Sequence, residues 1–308
     1  MDRHLETFYD KESVRIVVTD SGLGGLAVAA HLEANFKKWH PFKEVNILFV
    51  NALASETYFY NQMEHTAEKV RVFNRALFGM SEAYAPDLIL IACNTLSVLY
   101  DRTAFSKTAA MPVVGIVEFG VEMIYEKLSE SDKSRAVILG TPTTIGQQSH
   151  KKGLLKKGVP ESRIRPQACP LLESAIQNDP QSERVFKMIE TAAHEALDTN
   201  PIPREGELLV GLCCTHYQYA APSFIRVFSE QSGKNVVLID PNERLSAFIF
   251  ERSDTRRFNR TKTRVEVVSQ AALKPEDIKT ISKMIHPVSP DFALALTKYT
   301  LVKDLFSF

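Results

Sequence analysis

The sequence predicts an α/β protein made of two related halves, each with a parallel sheet flanked by helices, and three observations carry that prediction. Leu88 to Thr95 reads LILIACNT, an apolar run that delivers a cysteine, an asparagine and a threonine at its end. Continuous aliphatic runs of this length are strands buried on both faces, as in parallel sheets covered by helices. The pattern then recurs over residues 208–216 as LLVGLCCTH. In each half an earlier strand also ends in polar residues: VRIVVT runs into Asp20 and Ser21, and AVILG into Thr141, Pro142, Thr143 and Thr144. Ligands of such sheets bind outside the carboxyl ends of the strands, so each half offers a thiol to a shared site.

Length and charge narrow the class. A chain of 308 residues suffices for two domains with proper cores. Its 37 Lys and Arg balance its 37 Asp and Glu, which leaves no electrostatic footprint for nucleic acid or an anionic membrane. The opening MDRHLETFYD has no apolar signal region, and no stretch is apolar enough to span a bilayer, so a cytoplasmic protein is expected. Cys93, Cys169, Cys213 and Cys214 are too few and too scattered for a disulfide framework. Free thiols suit them better.

Taken in order, residues 1–13 read as a polar periphery, and Val14 to Thr19 as the first buried strand. Gly22, Gly24 and Gly25 then make a tight turn into a helix over GGLAVAAHLEANF. Gly22, Gly24 and Ala27 also spell GxGxxA, but a dinucleotide site needs an acid closing the second strand, and VNILFV ends at Asn51. The simpler reading is a turn whose glycines permit positive φ and close approach. Residues 52–64 form a long aromatic connection in which Tyr58, Phe59 and Tyr60 line a pocket or cap the core.

A helix is expected over 65–84, a short strand over 112–117 and a helix over 118–128. The second half adds a helix over 145–157, an amphipathic helix over 182–197 with a serine cap, and a helix near 220–231. The strand VVLID then ends at Asp240, residues 253–263 read as a basic polar loop, and RVEVV is followed by a helix over 274–285. The tail from Pro287 ends in LVKDLFSF, apolar enough to dock on the body or on a partner.

Two thiols at corresponding strand ends suit one chemistry in particular. Moving a proton off a carbon beside a carboxylate and returning one on the opposite face needs a proton-transferring group on each side. A thiol with an ordinary pKa of about 8.5 serves as either when its surroundings tune it. Neither a metal nor an organic cofactor is then needed, and no CxxC or HExxH spacing suggests one. Carboxylate binding falls to hydroxyls, amides and helix N-termini after the strands, where Ser21, Asn94, Thr95, Thr141, Thr144 and Thr215 stand. A buried cysteine alone is more often a small core residue; the repeated context favours function.

At these residues the chain resembles the aspartate/glutamate racemase superfamily. TDSGLGGLAV, IACNT, GIVEFG, GTPTT, CTHY and LIDPNE occur in that family's order across roughly residues 15–245. The resemblance implies two similar parallel-sheet α/β domains related by pseudo-twofold symmetry, with the active site in the cleft between them. It implies that the C-terminal segment returns to the first domain, giving domains of 1–116 plus 224–308 and of 117–223. It further implies an isomerase acting on a small acidic amino acid, glutamate first, with no cofactor, a D-glutamate supply for peptidoglycan, and homodimerisation.

Cys93 and Cys214 carry over as the catalytic pair, Asp20 and His216 as their assistants, and Cys213 stands where the family has glycine. Three departures stand out. The family's PYG substrate loop is matched only by Phe59, Tyr60 and Asn61; the acid expected after Cys169 aligns with Gln177, with Glu173 nearby; and the tail beyond about residue 287 is longer than usual. Aspartate or a hydantoin as substrate, and a binding protein without turnover, are the competing readings.

Overall fold

The computed structural model describes residues 3–53, 55–56, 58–198, 205–251 and 256–306. Along the chain lie α1 (Arg3–Asp10), β1 (Ser13–Asp20), α2 (Leu26–Trp39), β2 (Glu44–Asn51), α3 (Thr66–Tyr84), β3 (Leu88–Ile91), α4 (Asn94–Ser97) and β4 (Val113–Gly115). There follow α5 (Val117–Ser129), β5 (Arg135–Gly140), α6 (Pro142–Gln147), α7 (Ser149–Lys156), β6 (Ile164–Ala168), α8 (Leu172–Asn178), α9 (Glu183–Asp198), β7 (Leu208–Cys213), α10 (Ala221–Ser232) and β8 (Val236–Ile239). The chain closes with α11 (Pro241–Ala247), β9 (Lys262–Ser269), α12 (Pro275–Ile285), α13 (Pro290–Thr297) and β10 (Thr300–Leu301).

The chain forms two compact units, one of residues Met1–Gly115 with Asn242–Phe308, the other of Ile116–Pro241. The second boundary therefore falls later than the expected 223. α10 packs on β8, and β8 pairs in parallel with β7, so this whole stretch stays in the second unit.

The first unit has six parallel strands in the order β10-β9-β2-β1-β3-β4. β3, LILI, is apolar throughout and the middle of β1, Ile16 to Val18, is apolar and fully buried, because both faces are covered there. On one face Val17, Leu48, Ile89 and Ile91 pack with Phe73, Leu77 and Met80 of α3; α2 packs on β1, β2 and β9. The second unit has four parallel strands in the order β6-β5-β7-β8. Val137, Leu139 and Val210 face α9 and α10, whereas Ala136, Ile138 and Leu209 face α5 and α7. Its connectivity repeats that of β2-β1-β3-β4, which is the internal relationship that the two cysteine strands announce.

Several expectations change. The N-terminal residues are not mere periphery: α1 buries Phe8, which stacks edge-on against Phe42. Gln148, at φ 58°, breaks the expected 145–157 helix into α6 and α7. None of Gly22, Gly24 and Gly25 has a positive φ, and Gly25 serves by close approach: a Cβ there would lie 2.9 Å from Asp20 Cβ and 3.0 Å from Ala92 Cβ. The loop expected at 253–263 lies partly outside the described residues, and from Lys262 it is β9.

The C-terminal return is pinned inside the first unit. Glu33 of α2 is 1 % exposed and accepts from Thr263 Oγ1 at 3.1 Å and from Ser289 Oγ, while Lys37 Nζ lies 2.7 Å away. A carboxylate is buried only when so paired. Beyond β10, the Phe306 N–H donates to Gln270 Oε1 at 2.7 Å, and Leu305 and Phe306 join the core over α3. The tail thus docks on the body.

Gly79 of α3 is where this tail approaches: an added Cβ would sit 2.9 Å from Phe306 Cβ, with the Leu305 carbonyl oxygen closer still. Gly79→Ala should destabilise the protein by about 1–3 kcal/mol in denaturant unfolding. Gly146→Ala, a position in α6 with nothing within 4 Å, should be neutral or stabilising by up to about 1 kcal/mol. Equal midpoints for the two variants would show that the tail is not packed there.

Candidate active site

In each sheet the first and third strands lie side by side while their connections leave in opposite directions. This is the switch point of a parallel sheet, and it opens a gap at the carboxyl ends. In the first unit β1 ends at Asp20 and β3 is followed by Cys93. In the second, β5 ends before Thr141 and β7 before Cys214.

The first-unit gap brings together most of the residues expected there. Ser21 Oγ lies 3.2 Å from Cys93 Sγ. Asp20 is buried and its Oδ1 accepts the Gly22 N–H at 3.1 Å. Burial, and after it the Asp20 charge, push the Cys93 thiol up to about 12, against hydrogen bonds from Ser21 and from the Leu96 backbone. Asn94 and Thr95 open α4 and are buried. Both amide atoms of Asn94 lack a hydrogen-bond partner among the described residues. Leaving a buried polar atom so costs about 1–3 kcal/mol, which marks a position built to be met by something else.

The aromatic connection behaves differently. Tyr60 is 2 % exposed, packs in the core with Met63 and Cys93, and donates its hydroxyl to the Ala52 carbonyl at 3.2 Å. Its hydroxyl ties the connection to the end of β2, and its ring lies in the same core cluster as Cys93. Asn61 follows Tyr60 on an exposed single turn.

In the second unit Thr141 caps α6: its Oγ1 accepts the Thr144 N–H at 3.2 Å and lies 3.1 Å from Thr144 Oγ1. Both threonines are buried, as is Thr215. Cys214 Sγ is 3.9 Å from His216 Nδ1, and His216 Nε2 is 2.9 Å from Gln177 Oε1. Gln177, which aligns with the acid that the resemblance places after Cys169, therefore stands beside the imidazole. Its signal in the sequence was the spacing from Cys169, not its residue type.

Strand alternation separates the adjacent thiols. Cys213 is fully buried against Ile124, Ile138 and Ile239, and burial pushes its thiol far up. Cys214 belongs instead to the cluster containing Cys169 and Tyr217. Cys169 is also pushed up to about 12, mainly by burial. Among the described residues no cluster of three or more His, Cys, Asp or Glu is arranged to hold a metal ion, and no helix is long and apolar enough to cross a membrane.

Known proteins match this architecture. A glutamate racemase of Syntrophus aciditrophicus is 26 % identical over 231 residues, covering 75 % of this chain and 77 % of its own. One from Exiguobacterium sibiricum is 30 % identical over 232 residues, covering 74 % and 75 %. Among solved structures, glutamate racemase from Francisella tularensis in complex with D-glutamate superposes with a TM-score of 0.65 at 21 % identity, covering 89 % of this chain and 94 % of that one. The Campylobacter jejuni enzyme gives 0.64 at 22 %, covering 89 % and 97 %. At such identities the structures establish the shared fold. The family description Asp/Glu/Hydantoin racemase matches residues 25–242, and with the 30 % identical relative this establishes that the chain belongs to that family of isomerases.

Proposed function

We propose that the chain interconverts L- and D-glutamate by two-base proton transfer between Cys93, Cys214 and the substrate α-carbon, without metal or organic cofactor. The observation that carries the reading is Asn94, a buried amide with both polar atoms unmet among the described residues, directly after a thiol at a strand end. An amino acid supplies both missing partners: its carboxylate accepts from the amide nitrogen and its ammonium donates to the amide oxygen. Relatives named glutamate racemase, and a neighbour solved with D-glutamate, support glutamate as the substrate. In a bacterium the D-enantiomer would feed peptidoglycan synthesis in the cytoplasm. We extend the reading to a homodimer, and light scattering of the purified protein tests that part.

In this scheme one cysteine, as thiolate, takes the α-proton and the other, as thiol, returns one on the opposite face. Asp20 and His216 move protons to and from their neighbouring sulfurs. Ser21, Asn94 and Thr95 hold the substrate beside Cys93; Thr141, Thr144 and Thr215 present hydroxyls and N–H groups beside Cys214. Cys93, raised to about 12, rests as the thiol and so stands ready to donate. To act as a base it must first ionise, which the ammonium of a bound amino acid favours.

Three expected outcomes follow from this chemistry. Cys93→Ala and Cys214→Ala should each lower racemisation by about two to four orders of magnitude, whereas Cys213→Ala should keep the rate and lose about 1 kcal/mol of stability. Full activity in either of the first two variants would defeat the two-base scheme. For the enantiomer that Cys93 deprotonates, kcat/KM should climb by up to about tenfold per pH unit from neutral to mildly alkaline pH, since the thiolate fraction rises below a raised pKa. A flat profile for both enantiomers would contradict it. Incubating L- and D-glutamate separately in deuterated water, with chirality and loss of the α-proton signal followed together, tests the reaction itself. Exchange with aspartate and not glutamate would reassign the substrate, and exchange with neither would leave a binding protein.

A further inference from the structure

Gln177 and His216 are 39 positions apart in sequence, yet their side chains meet at 2.9 Å between Oε1 and Nε2. An amide oxygen only accepts, so the ring carries its proton on Nε2 and donates it there. The other nitrogen, Nδ1, is then left with a lone pair, and it is this atom that lies 3.9 Å from Cys214 Sγ. The thiol is the donor in that contact.

We propose that Gln177 is a positioning residue, a neutral anchor that holds His216 in the Nε2–H tautomer with Nδ1 aimed at Cys214 as the acceptor of its proton. Because the anchor has no charge, it orients the imidazole without strongly stabilising the imidazolium. It adds no bias toward thiolate with imidazolium. A carboxylate in the same place would orient the ring and also favour thiolate with imidazolium. The tautomer stands on the geometry alone; its catalytic consequence rests on the two-thiol reading.

The proton balance is closed. The Cys214 S–H bond breaks as an N–H bond forms on Nδ1, giving thiolate and imidazolium together. The thiolate takes the α-proton, and Cys93 returns one to the carbanion. The imidazolium then releases its Nδ1 proton to solvent while the Cys93 thiolate takes one up, restoring the starting state. Throughout, His216 keeps its Nε2–H and donates it to Gln177 Oε1.

The ionisable groups packed nearby in the same unit are Cys169 after β6, Glu173 of α8, Glu195 of α9 and Tyr217. Cys169 is pushed up to about 12 and the Tyr217 phenol well above its ordinary value, both chiefly by burial. Neither thiol nor phenol supplies charge near neutral pH. Glu173 and Glu195 are the carboxylates of the group.

The test is the imidazole itself. With histidine labelled in nitrogen-15, long-range proton–nitrogen correlation near neutral pH reads which nitrogen of His216 is protonated, assigned by loss of its signals in His216→Asn. The native protein should show Nε2–H alone. Gln177→Leu should give mixed tautomers with an unchanged melting temperature, and Gln177→Glu should keep Nε2–H and raise the titration midpoint of His216 by about one pH unit. An Nδ1–H ring in the native protein, or an unchanged tautomer in Gln177→Leu, overturns the proposal. An unmoved midpoint in Gln177→Glu overturns the neutral-anchor part.

In deuterated water, Gln177→Leu should lower kcat for α-proton exchange from one enantiomer about tenfold more than from the other, with KM little changed, and Gln177→Glu should restore it. Equal loss in both directions would overturn the link to Cys214. Absence of exchange in the native protein would defeat the two-thiol reading while leaving the tautomer result intact.

Discussion

Everything at the candidate site depends on a parallel pairing repeated in each unit: β1 beside β3, and β5 beside β7. Parallel neighbours whose connections leave on opposite sides cannot have both carboxyl ends covered by their own loops. The gap that results is dry-walled by apolar strands and rimmed by whatever residues come next. Here those are Asp20, Ser21, Cys93 and Asn94 in one unit and Thr141, Cys214 and His216 in the other. The register then decides who meets whom. Ile91 sits level with Thr19, so the residues just beyond both strands, Cys93 and Ser21, fall within 3.2 Å.

Burial gives these thiols their character. Away from water the neutral form of a cysteine is favoured, and Cys93, Cys169 and Cys213 all respond in that direction. Cys169 also has a phenol and carboxylates near it and Cys213 has Asp240, so what sets Cys93 apart is the residue that follows it. A carboxylate and a hydroxyl stand beside Cys93, and next in the chain comes an amide with no partner among the described residues. Cys213 has apolar side chains packed on it, and after burial the Asp240 charge pushes its thiol further up. The same element type, one residue apart, therefore yields a core residue and a candidate base.

The C-terminal third of the first unit is organised around a second buried acid. Glu33 draws Thr263 of β9, Ser289 before α13 and Lys37 of its own helix to one point. Desolvating that carboxylate would be expensive without all three, so the returning chain and α2 stabilise each other. The tail that follows closes over α3 at Gly79, where its backbone comes up against the helix. α3 in turn shares its core with Tyr60 and Cys93, so the late segment of the chain supports the wall of the early site.

The sequence by itself determined the buried strands, the two-fold repetition of cysteine and hydroxyl at strand ends, and the family. Each is a short-range property: a strand covered on both faces must be continuously apolar, and residues adjacent in sequence to its end must lie beside that end. Strand β6, IRPQA, escaped notice because a half-exposed edge strand need not be apolar. Only the tertiary structure decided that Tyr60 spends its hydroxyl on the Ala52 carbonyl, that the chain leaves the second unit after β8, and that Gln177 meets His216. These depend on contacts between distant segments, where desolvation and hydrogen-bond geometry set the energy, and local pattern carries no record of either.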